Sequence, residues 1–188
     1  MKMDYTIIIK SLYFFLPAYF ANMTPVVVRW IPFLKKPIHE KLLGSNKTWR
    51  GLFFGTLMGG FIFILQQQIH LLISGPSTSY IPHFTSSFTS LALIDYEDFP
   101  VWFGFLQGFG ALLGDGIKSY YKRKQKITPG KPWFLWDQLD FVFGGIIVGG
   151  FVYFPSAETV LILLLASPLL HLIVNYLGYI LKMKKNIF

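Results

Sequence analysis

The chain has 188 residues, of which 53% are hydrophobic and only 14% are charged, and its mean hydropathy is +0.50. A soluble domain carries about 25% charged residues, so this composition argues against a soluble domain and indicates a membrane protein. The net charge of +8 would suggest a nucleic-acid partner in a soluble protein, but here it has to be considered against the membrane first. The absence of cysteine excludes disulfides and thiolate metal sites.

Five apolar stretches approach the roughly 20 residues that a membrane span needs. In chain order they are about 5–22, 52–74, 100–117, 140–154 and 159–181. The first is interrupted by Lys10 and Pro17, but no signal-peptide cleavage site follows it, so it is interpreted as a retained span. The sequence predicts an all-α integral membrane protein, a bundle of about five transmembrane helices that forms one domain over residues 1–188.

The basic residues are divided unequally between the two sides of these spans. Fifteen of the 17 lysines and arginines lie in 23–50, in 118–138 and in the tail 182–185, whereas the connections 75–99 and 155–158 have none. Cytoplasmic loops of membrane proteins are enriched in Lys and Arg. We therefore predict a multi-pass protein of the cell membrane, with two basic cytoplasmic loops, a cytoplasmic C-terminus and an outside N-terminus.

Glycines recur four residues apart within the predicted spans. The pairs are Gly55 with Gly59, Gly104 with Gly108, Gly110 with Gly114, and Gly145 with Gly149. Glycines at this spacing line one helix face and allow two helix backbones to approach in lipid. The pattern predicts closely packed helices.

The first basic loop contains "LGSNKTWRG" at 43–51. Ser45 or Asn46 is predicted to cap the helix of the second span, and Lys47 and Arg50 beside that helix start favour a phosphate site. The motif is not a P-loop, because the required glycines and preceding strand are missing. The alternative is that Lys, Trp and Arg only anchor the helix end at the headgroup layer.

The second basic loop is bounded by acids, in "GDGIKSYYKRK" at 114–124 and "WDQLDF" at 136–141. Asp115 ends the third span, and Asp137 and Asp140 open the fourth, so Asp115 and Asp140 are predicted to lie at helix ends that face the same cytoplasmic surface. Carboxylates at a membrane boundary are costly unless they have partners. Without cysteine or a histidine cluster, three carboxylates favour a hard cation such as Mg²⁺. The alternative is that these acids pair with nearby cations, namely Lys118, Lys122 or Arg123.

Together the two loops supply metal-binding acids and twelve lysines and arginines at one face of the bundle. Phosphoryl or nucleotidyl transfer at a membrane surface needs this combination. A polybasic surface alone also attracts anionic lipid, so a non-catalytic lipid-binding protein stays open. The D-G-x-x-A-R pattern of CDP-alcohol phosphotransferases is absent after Asp115, and no span has the mid-membrane acid that a transporter would favour.

The stretch 114–140 resembles the signature of phosphatidate cytidylyltransferases. That signature has an Asp four residues before a Ser, then Lys-Arg, a Pro-Gly turn and a closing D-R-x-D, here matched by Asp115, Ser119, "KR", Pro129-Gly130 and "DQLD". The likeness is closer to the archaeal branch, the CDP-archaeol synthases, in "NKTWRG", in "PGKPW" with "DQLDF", and in "PAYFANMTPV" at 17–26. The resemblance covers essentially the whole chain, and Gln138 replaces the Arg of the wider signature.

The resemblance implies a reaction in which CTP and a lipid phosphate give a CDP-lipid and pyrophosphate. It implies Mg²⁺ as the cofactor and CTP, a lipid phosphate and membrane lipids as partners, with no nucleic acid. Whether the lipid is an archaeal ether lipid or a bacterial-type phosphatidic acid stays open, as does a homodimer.

The resemblance also implies roles for particular residues. Mg²⁺ would bind Asp115 and Asp137, with Asp140 as a third ligand or as an acid that supports the ligands. Phosphates would be held by cations of both loops: Lys47, Arg50, Lys118, Lys122, Arg123 and Lys131. Asn46 and Thr48 would contact nucleotide or backbone, and Ser119 would hydrogen-bond an Asp or a phosphate, because no base stands ready to activate it as a nucleophile.

Overall fold

The computed structural model describes residues 5–74, 92–128, 131, 133 and 135–180. In this part of the chain the helices are α1 Tyr5–Phe14, α2 Leu16–Val27 with a following 3₁₀ turn Val28–Trp30, α3 Glu40–Leu43, α4 Trp49–Ser74, α5 Trp102–Lys124, α6 Trp136–Gly149 and α7 Ala157–Ile180. The β-type pairing of the same part is one isolated bridge between Pro37 and Thr48. The all-α prediction is confirmed there. The predicted Pro129-Gly130 turn and the basic tail lie outside the described residues.

Two of the predicted spans meet the length and hydropathy of a membrane helix among the described residues. Helix α4 does so over Trp49–Ile73, and α1 and α2 do so only as a pair bent by 50°. Pro17 in the first turn of α2 explains the bend, because proline lacks an N–H and is tolerated only where a helix starts. Helix α6 has 14 residues, and α7 provides a shorter apolar stretch, Ala157–Leu170. The described helices alone therefore leave the five-span bundle a prediction.

Helix α5 continues past the predicted end of its span into the basic run. The segment from Lys118 to Lys124 is therefore helical rather than part of a loop. Three cations in the last turn interact favourably with the helix dipole, and neither Gly nor Pro interrupts the run. Helix α6 begins at Trp136, four residues before the predicted start of its span, so the connection between these helices is short.

Glycines bring the backbones of α4, α5 and α6 into contact. A Cβ atom added at Gly59 would lie 2.7 Å from the carbonyl oxygen of Gly104, and one at Gly114 would lie 2.1 Å from that of Asp140. On α6 the close contact is made by Gly144, whose added Cβ would lie 2.1 Å from the Gly110 oxygen. The sequence pattern had favoured Gly145 and Gly149: an added Cβ at Gly145 would lie 2.7 Å from the Phe15 ring, whereas one at Gly149 meets nothing closer than 3.5 Å.

Aromatic side chains fill the space that the glycines leave between the helices. Phe14, Phe15, Phe63, Phe103 and Phe141 are each 2% exposed or less. The rings of Phe63 and Phe103 meet edge to face with their centroids 5.2 Å apart. Edge-to-face packing is favourable, so this cluster fixes how the helices cross and where their ends come together.

Candidate active site

The start of α4 is fixed by Thr48. Its Oγ1 accepts a hydrogen bond from the Gly51 N–H at 3.1 Å, which makes Thr48 the N-cap of the helix. The predicted caps, Ser45 and Asn46, are exposed and lie further upstream. The cap prediction is wrong by two to three residues, because either candidate would have required α4 to begin before Trp49.

The segment before α4 is folded back on the chain that precedes it. The Ile38 N–H donates to the Lys47 carbonyl at 2.8 Å, and the Arg50 N–H donates to the Leu34 carbonyl at 2.8 Å. This pairing holds the backbone of Lys47 in place. Its side chain reaches α5 and donates to Asp115 Oδ2.

The three predicted carboxylates meet around one ammonium group. Asp115 follows Gly114, at which α5 touches the Asp140 backbone, and Asp137 lies in the first turn of α6. Lys118 Nζ lies 2.9 Å from Asp115 Oδ1, 3.0 Å from Asp137 Oδ1 and 2.8 Å from Asp140 Oδ2. The pairing of acids with cations, the alternative from the sequence, is therefore present in this structure.

The remaining carboxylate oxygens of the cluster also have donors. Lys122 Nζ lies 3.0 Å from Asp137 Oδ2, and the Trp133 N–H donates to the same oxygen at 2.6 Å. Asp140 Oδ1 accepts from the Phe141 N–H at 2.7 Å. With Lys47 on Asp115 Oδ2, all six oxygens of the three carboxylates contact a donor.

These contacts shift the pKa values of two charged groups of the cluster, Asp137 and Lys118. Burial by itself raises the pKa of Asp137, but the Trp133 N–H and the Lys118 and Lys122 ammonium groups outweigh burial and leave the pKa below its usual value. Burial lowers the pKa of Lys118, but Asp115, Asp140 and Asp137 outweigh it and hold the pKa above its usual value. Both groups are therefore charged at neutral pH.

The cluster suits a divalent cation in its chemistry but not in its present spacing. Among the residues that the structure describes, no three His, Cys, Asp or Glu side chains stand close enough to hold a metal ion as they are. Mg²⁺ requires oxygens at about 2.0–2.1 Å, whereas these lie 2.8–3.0 Å from the central nitrogen. Three carboxylates are nevertheless the donors that Mg²⁺ prefers, and the buried Asp140 Oδ2 makes only an ionic contact. Magnesium stays a prediction.

Lys122 connects the end of α5 to the start of α6. Besides Asp137, its Nζ contacts the Lys131 carbonyl at 2.6 Å. Lys131 therefore contributes its backbone to the site, while its side chain is exposed. Ser119 Oγ donates to the Asp115 carbonyl at 2.8 Å, a contact within α5.

Two of the predicted phosphate ligands have their guanidinium groups on backbone carbonyls. Arg50 is buried and donates to the Ile31 carbonyl, so the structure does not bring it into the acid cluster. Arg123 donates to the Ile127 carbonyl, and its buried Nε–H donates to no acceptor among the described residues. Arg123 is thus placed beside the cluster with a free donor.

Two cavities flank the Lys47–Asp115 contact. One, of about 130 Å³, is lined by four cations and by polar groups: Lys47, Lys118, Lys122, Arg123, Asn46 and Ser119 among them. The other, of about 60 Å³, is mostly apolar, and Pro25, Leu52, Leu112 and Gly116 are among its walls. Asn46 and Lys47 line both cavities.

Sequence reasoning predicted the charged and polar walls of these cavities but missed several others. Gly44 lines the polar cavity and has φ of 86°, a conformation that favours glycine, with Arg123 Nε 3.7 Å from where a Cβ would stand. Its position directly after α3 is the signal for a helix-ending glycine that could have found it. Leu52 and Leu112 gave no such signal, because apolar residues are everywhere in these helices.

Comparison with known proteins assigns the chain to a class and a family. The family model described as CarS-like, CDP-archaeol synthase, matches residues 4–188. The CDP-archaeol synthase of Thermofilum pendens is 32% identical over 93% of this chain and 78% of its own length. That of Pyrococcus furiosus is 32% identical over 94% of this chain and 96% of its own.

The fold of the chain is similar to that of one solved structure. It is described as an intramembrane enzyme for archaeal membrane lipids biosynthesis, and it matches with a TM-score of 0.62 and 29% identity over 88% of this chain and 92% of its own. The fold and the matches define the class first: the protein is a membrane protein and an enzyme, a CTP-dependent cytidylyltransferase. The chain belongs to the CDP-archaeol synthase family.

Proposed function

We propose that the protein transfers CMP from CTP to an archaeal ether-lipid phosphate, in a Mg²⁺-dependent reaction that gives a CDP-archaeol-type lipid and pyrophosphate. The relatives named above are CDP-archaeol synthases, and their names supply the lipid class. The observation that supports the proposal most is the acid–lysine cluster between a cationic and an apolar cavity.

The proposal includes five membrane spans with the site at the cytoplasmic side. The bent pair α1–α2 would form the first span, and α4, α5, α6 and α7 would follow as the others. Its support is the charge distribution, since the cluster lies where the two basic segments meet and the connections on the other side have no Lys or Arg.

The cationic cavity is proposed to bind the triphosphate. Lys47, Lys118, Lys122 and Arg123 line it, so it offers several charged donors to phosphate oxygens. The unpaired Nε of Arg123 is a donor that no described group of the chain satisfies. Asn46 stands at the same wall, where its amide can contact the nucleotide.

The apolar cavity is proposed to receive the lipid phosphate with the first atoms of its lipid. Its walls suit the apolar part, and Lys47, which lines both cavities, stands where the two phosphates would approach. In the reaction an oxygen of the lipid phosphate forms a bond to the α-phosphorus of CTP. The bond from that phosphorus to the bridging oxygen breaks, and pyrophosphate leaves with its electron pair.

Asp115, Asp137 and Asp140 are proposed to hold Mg²⁺. When bound, Mg²⁺ supplies charge neutralisation for the reacting phosphates and the leaving pyrophosphate. The lipid phosphate is already ionised at neutral pH, so the step needs no general base. This agrees with Ser119, whose hydroxyl is occupied by a backbone carbonyl of its own helix.

The test is lipid labelling by the purified protein in detergent with Mg²⁺ and labelled CTP. One arm receives an unsaturated archaeal ether-lipid phosphate and the other phosphatidic acid. We expect labelled lipid in the first arm, and Asp115→Asn should lower the rate by about 100-fold or more, because it removes a carboxylate proposed to hold the Mg²⁺ that neutralises the reacting phosphates. Asp98→Asn, an exposed acid outside the cluster, is the matched control.

Labelling only with phosphatidic acid would contradict the ether-lipid substrate and identify phosphatidic acid in its place. Labelling with neither lipid would contradict the proposed reaction. Equal rates for Asp115→Asn and the control would contradict the role of the cluster. A folded protein that binds anionic vesicles without labelling them would instead be a lipid-binding scaffold.

A further inference from the structure

The charges of the acid cluster are balanced by the chain itself. Three carboxylates, those of Asp115, Asp137 and Asp140, contact three ammonium groups, those of Lys47, Lys118 and Lys122. The side chains are mostly shielded from solvent, with exposed fractions between 4% for Asp140 and 25% for Lys47. A divalent cation added to this neutral cluster would bring two uncompensated charges into a site of low solvent access, which is unfavourable.

Among the three lysines, Lys118 alone contacts all three carboxylates. Its Nζ lies within 3.0 Å of one oxygen from each. It therefore occupies the point that a metal bound by the same three acids would have to occupy. The oxygens would also have to move inward by about 0.8 Å, because Mg²⁺ binds oxygen at about 2.0–2.1 Å.

The Lys118 side chain can also occupy a second position. Lys118 also lines the cationic cavity, together with Lys122 and Arg123. An ammonium group that leaves the carboxylates can turn into this cavity, where a bound triphosphate would replace the lost partners. The same lysine thus stands between the metal position and the nucleotide position.

We propose that Lys118 is an exchangeable counter-ion, which holds the metal position among Asp115, Asp137 and Asp140 until the divalent cation arrives and then turns to the nucleotide phosphates. This inference rests on the proposed function, since it takes the three acids as the metal ligands. It makes Lys118 a positioning residue. Divalent binding without nucleotide is then weak, because the cation must displace a well-bound ammonium group.

The experiment measures Mn²⁺ binding in detergent by the electron paramagnetic resonance signal of free Mn²⁺, with no nucleotide present. Lys118→Met removes the competing charge and keeps an unbranched side chain. We expect it to bind Mn²⁺ at least about tenfold more tightly than the unaltered protein, because a unit charge at contact distance in a shielded site acts strongly. Lys124→Met is the control on the same helix, since Lys124 is exposed, and it should leave the affinity unchanged.

Affinity that is unchanged or weaker in a folded Lys118→Met protein would overturn the role of Lys118 and leave the labelling reaction standing. If neither protein bound Mn²⁺ with or without CTP, the metal site itself would be overturned, and the labelling assay would still report on the reaction separately. These two failures are therefore distinguishable.

A second measurement uses the unaltered protein, in case Lys118→Met does not fold. In crystals soaked with Mn²⁺ and CTP we expect an anomalous-scattering peak among the three carboxylates and Lys118 Nζ turned toward the cationic cavity. A metal peak with Lys118 still among the carboxylates, or a peak elsewhere, would overturn the proposal.

Discussion

At the scale of single residues, several side chains of the cluster contact more than one partner. Asp137 accepts from Lys118, Lys122 and the Trp133 N–H, and Lys122 also binds the Lys131 carbonyl. Because these contacts join α5, α6 and the connection between them, the ionised state of the acids supports the fold as well as the chemistry. Stability should therefore depend on pH at both extremes.

The first prediction concerns this pH dependence. The lowered pKa of Asp137 means that its contribution to stability is present above its unfolded pKa of about 3.9 and is lost as the pH falls through the lower folded value. The raised pKa of Lys118 means that its contribution is complete below its unfolded pKa of about 10.4 and is lost as the pH rises toward the folded value.

The measurement is the thermal unfolding temperature in detergent across about pH 2 to 12, which extends below the unfolded pKa of Asp and above the unfolded pKa of Lys. Asp137→Asn should reduce the fall in unfolding temperature on the acid side, whereas Asp98→Asn should leave it as it is. An acid-side fall of the same size in both variants would show that Asp137 is not responsible.

At the scale of helices, the position of the acids depends on glycine contacts between α5 and α6. At Gly114 there is no room for a methyl group, since its Cβ would lie 2.1 Å from a backbone oxygen that cannot move alone. Two residues further along the same helix, a Cβ at Gly116 would meet nothing within 4 Å. The close approach at Gly114 is what carries Asp115 to Asp140.

The second prediction compares these two glycines. Gly114→Ala should destabilise the protein by about 1–3 kcal/mol or more, because it forces two helix backbones apart. Gly116→Ala should be neutral or should stabilise by up to about 1 kcal/mol, because alanine favours a helix and the space is open. The measurement is the unfolding temperature of both variants in detergent, and similar losses in the two would contradict the packing argument.

At the scale of the whole molecule, the charge distribution predicts on which side of the membrane each connection lies. The basic end of α5 should face the cytoplasm, and the acidic segment around Glu97 should face outside. The chain has no cysteine, so single cysteines can be introduced without altering the background.

The third prediction tests this topology with a membrane-impermeant maleimide on intact cells. Glu97→Cys and Lys124→Cys both replace exposed residues. We expect Glu97→Cys to be labelled in intact cells and Lys124→Cys only after the membrane is opened. Labelling of both variants in intact cells would contradict the single span predicted between residues 97 and 124. Labelling of Lys124→Cys alone in intact cells would mean that the orientation is the opposite of the predicted one.

Many features of the fold and of the candidate site follow from the type and spacing of individual residues, and the sequence alone predicts them. The helical apolar segments, the charge asymmetry, the close contact through Gly114 and the three acids depend on residue type and spacing, and the motifs around Asp115 and Lys47 indicated the family that the comparisons confirm. Helix ends were predicted less well. Thr48 caps α4 because the folded-back segment places it there, and α5 runs on because nothing in its basic turn breaks a helix.

The tertiary structure alone decided which charges meet. Arg50 and Lys131 have the same charge as Lys47 and Lys118, but neither contacts the acids. The Arg50 side chain donates to a backbone carbonyl, and Lys131 contributes its backbone carbonyl, which accepts from Lys122. Sequence spacing gives the charge of a side chain and its helix face, but the distance between Lys118 and Asp137 depends on how α5 crosses α6. Glycine contacts and aromatic packing set that crossing, because they fix the relative position of two helix backbones that are far apart along the chain.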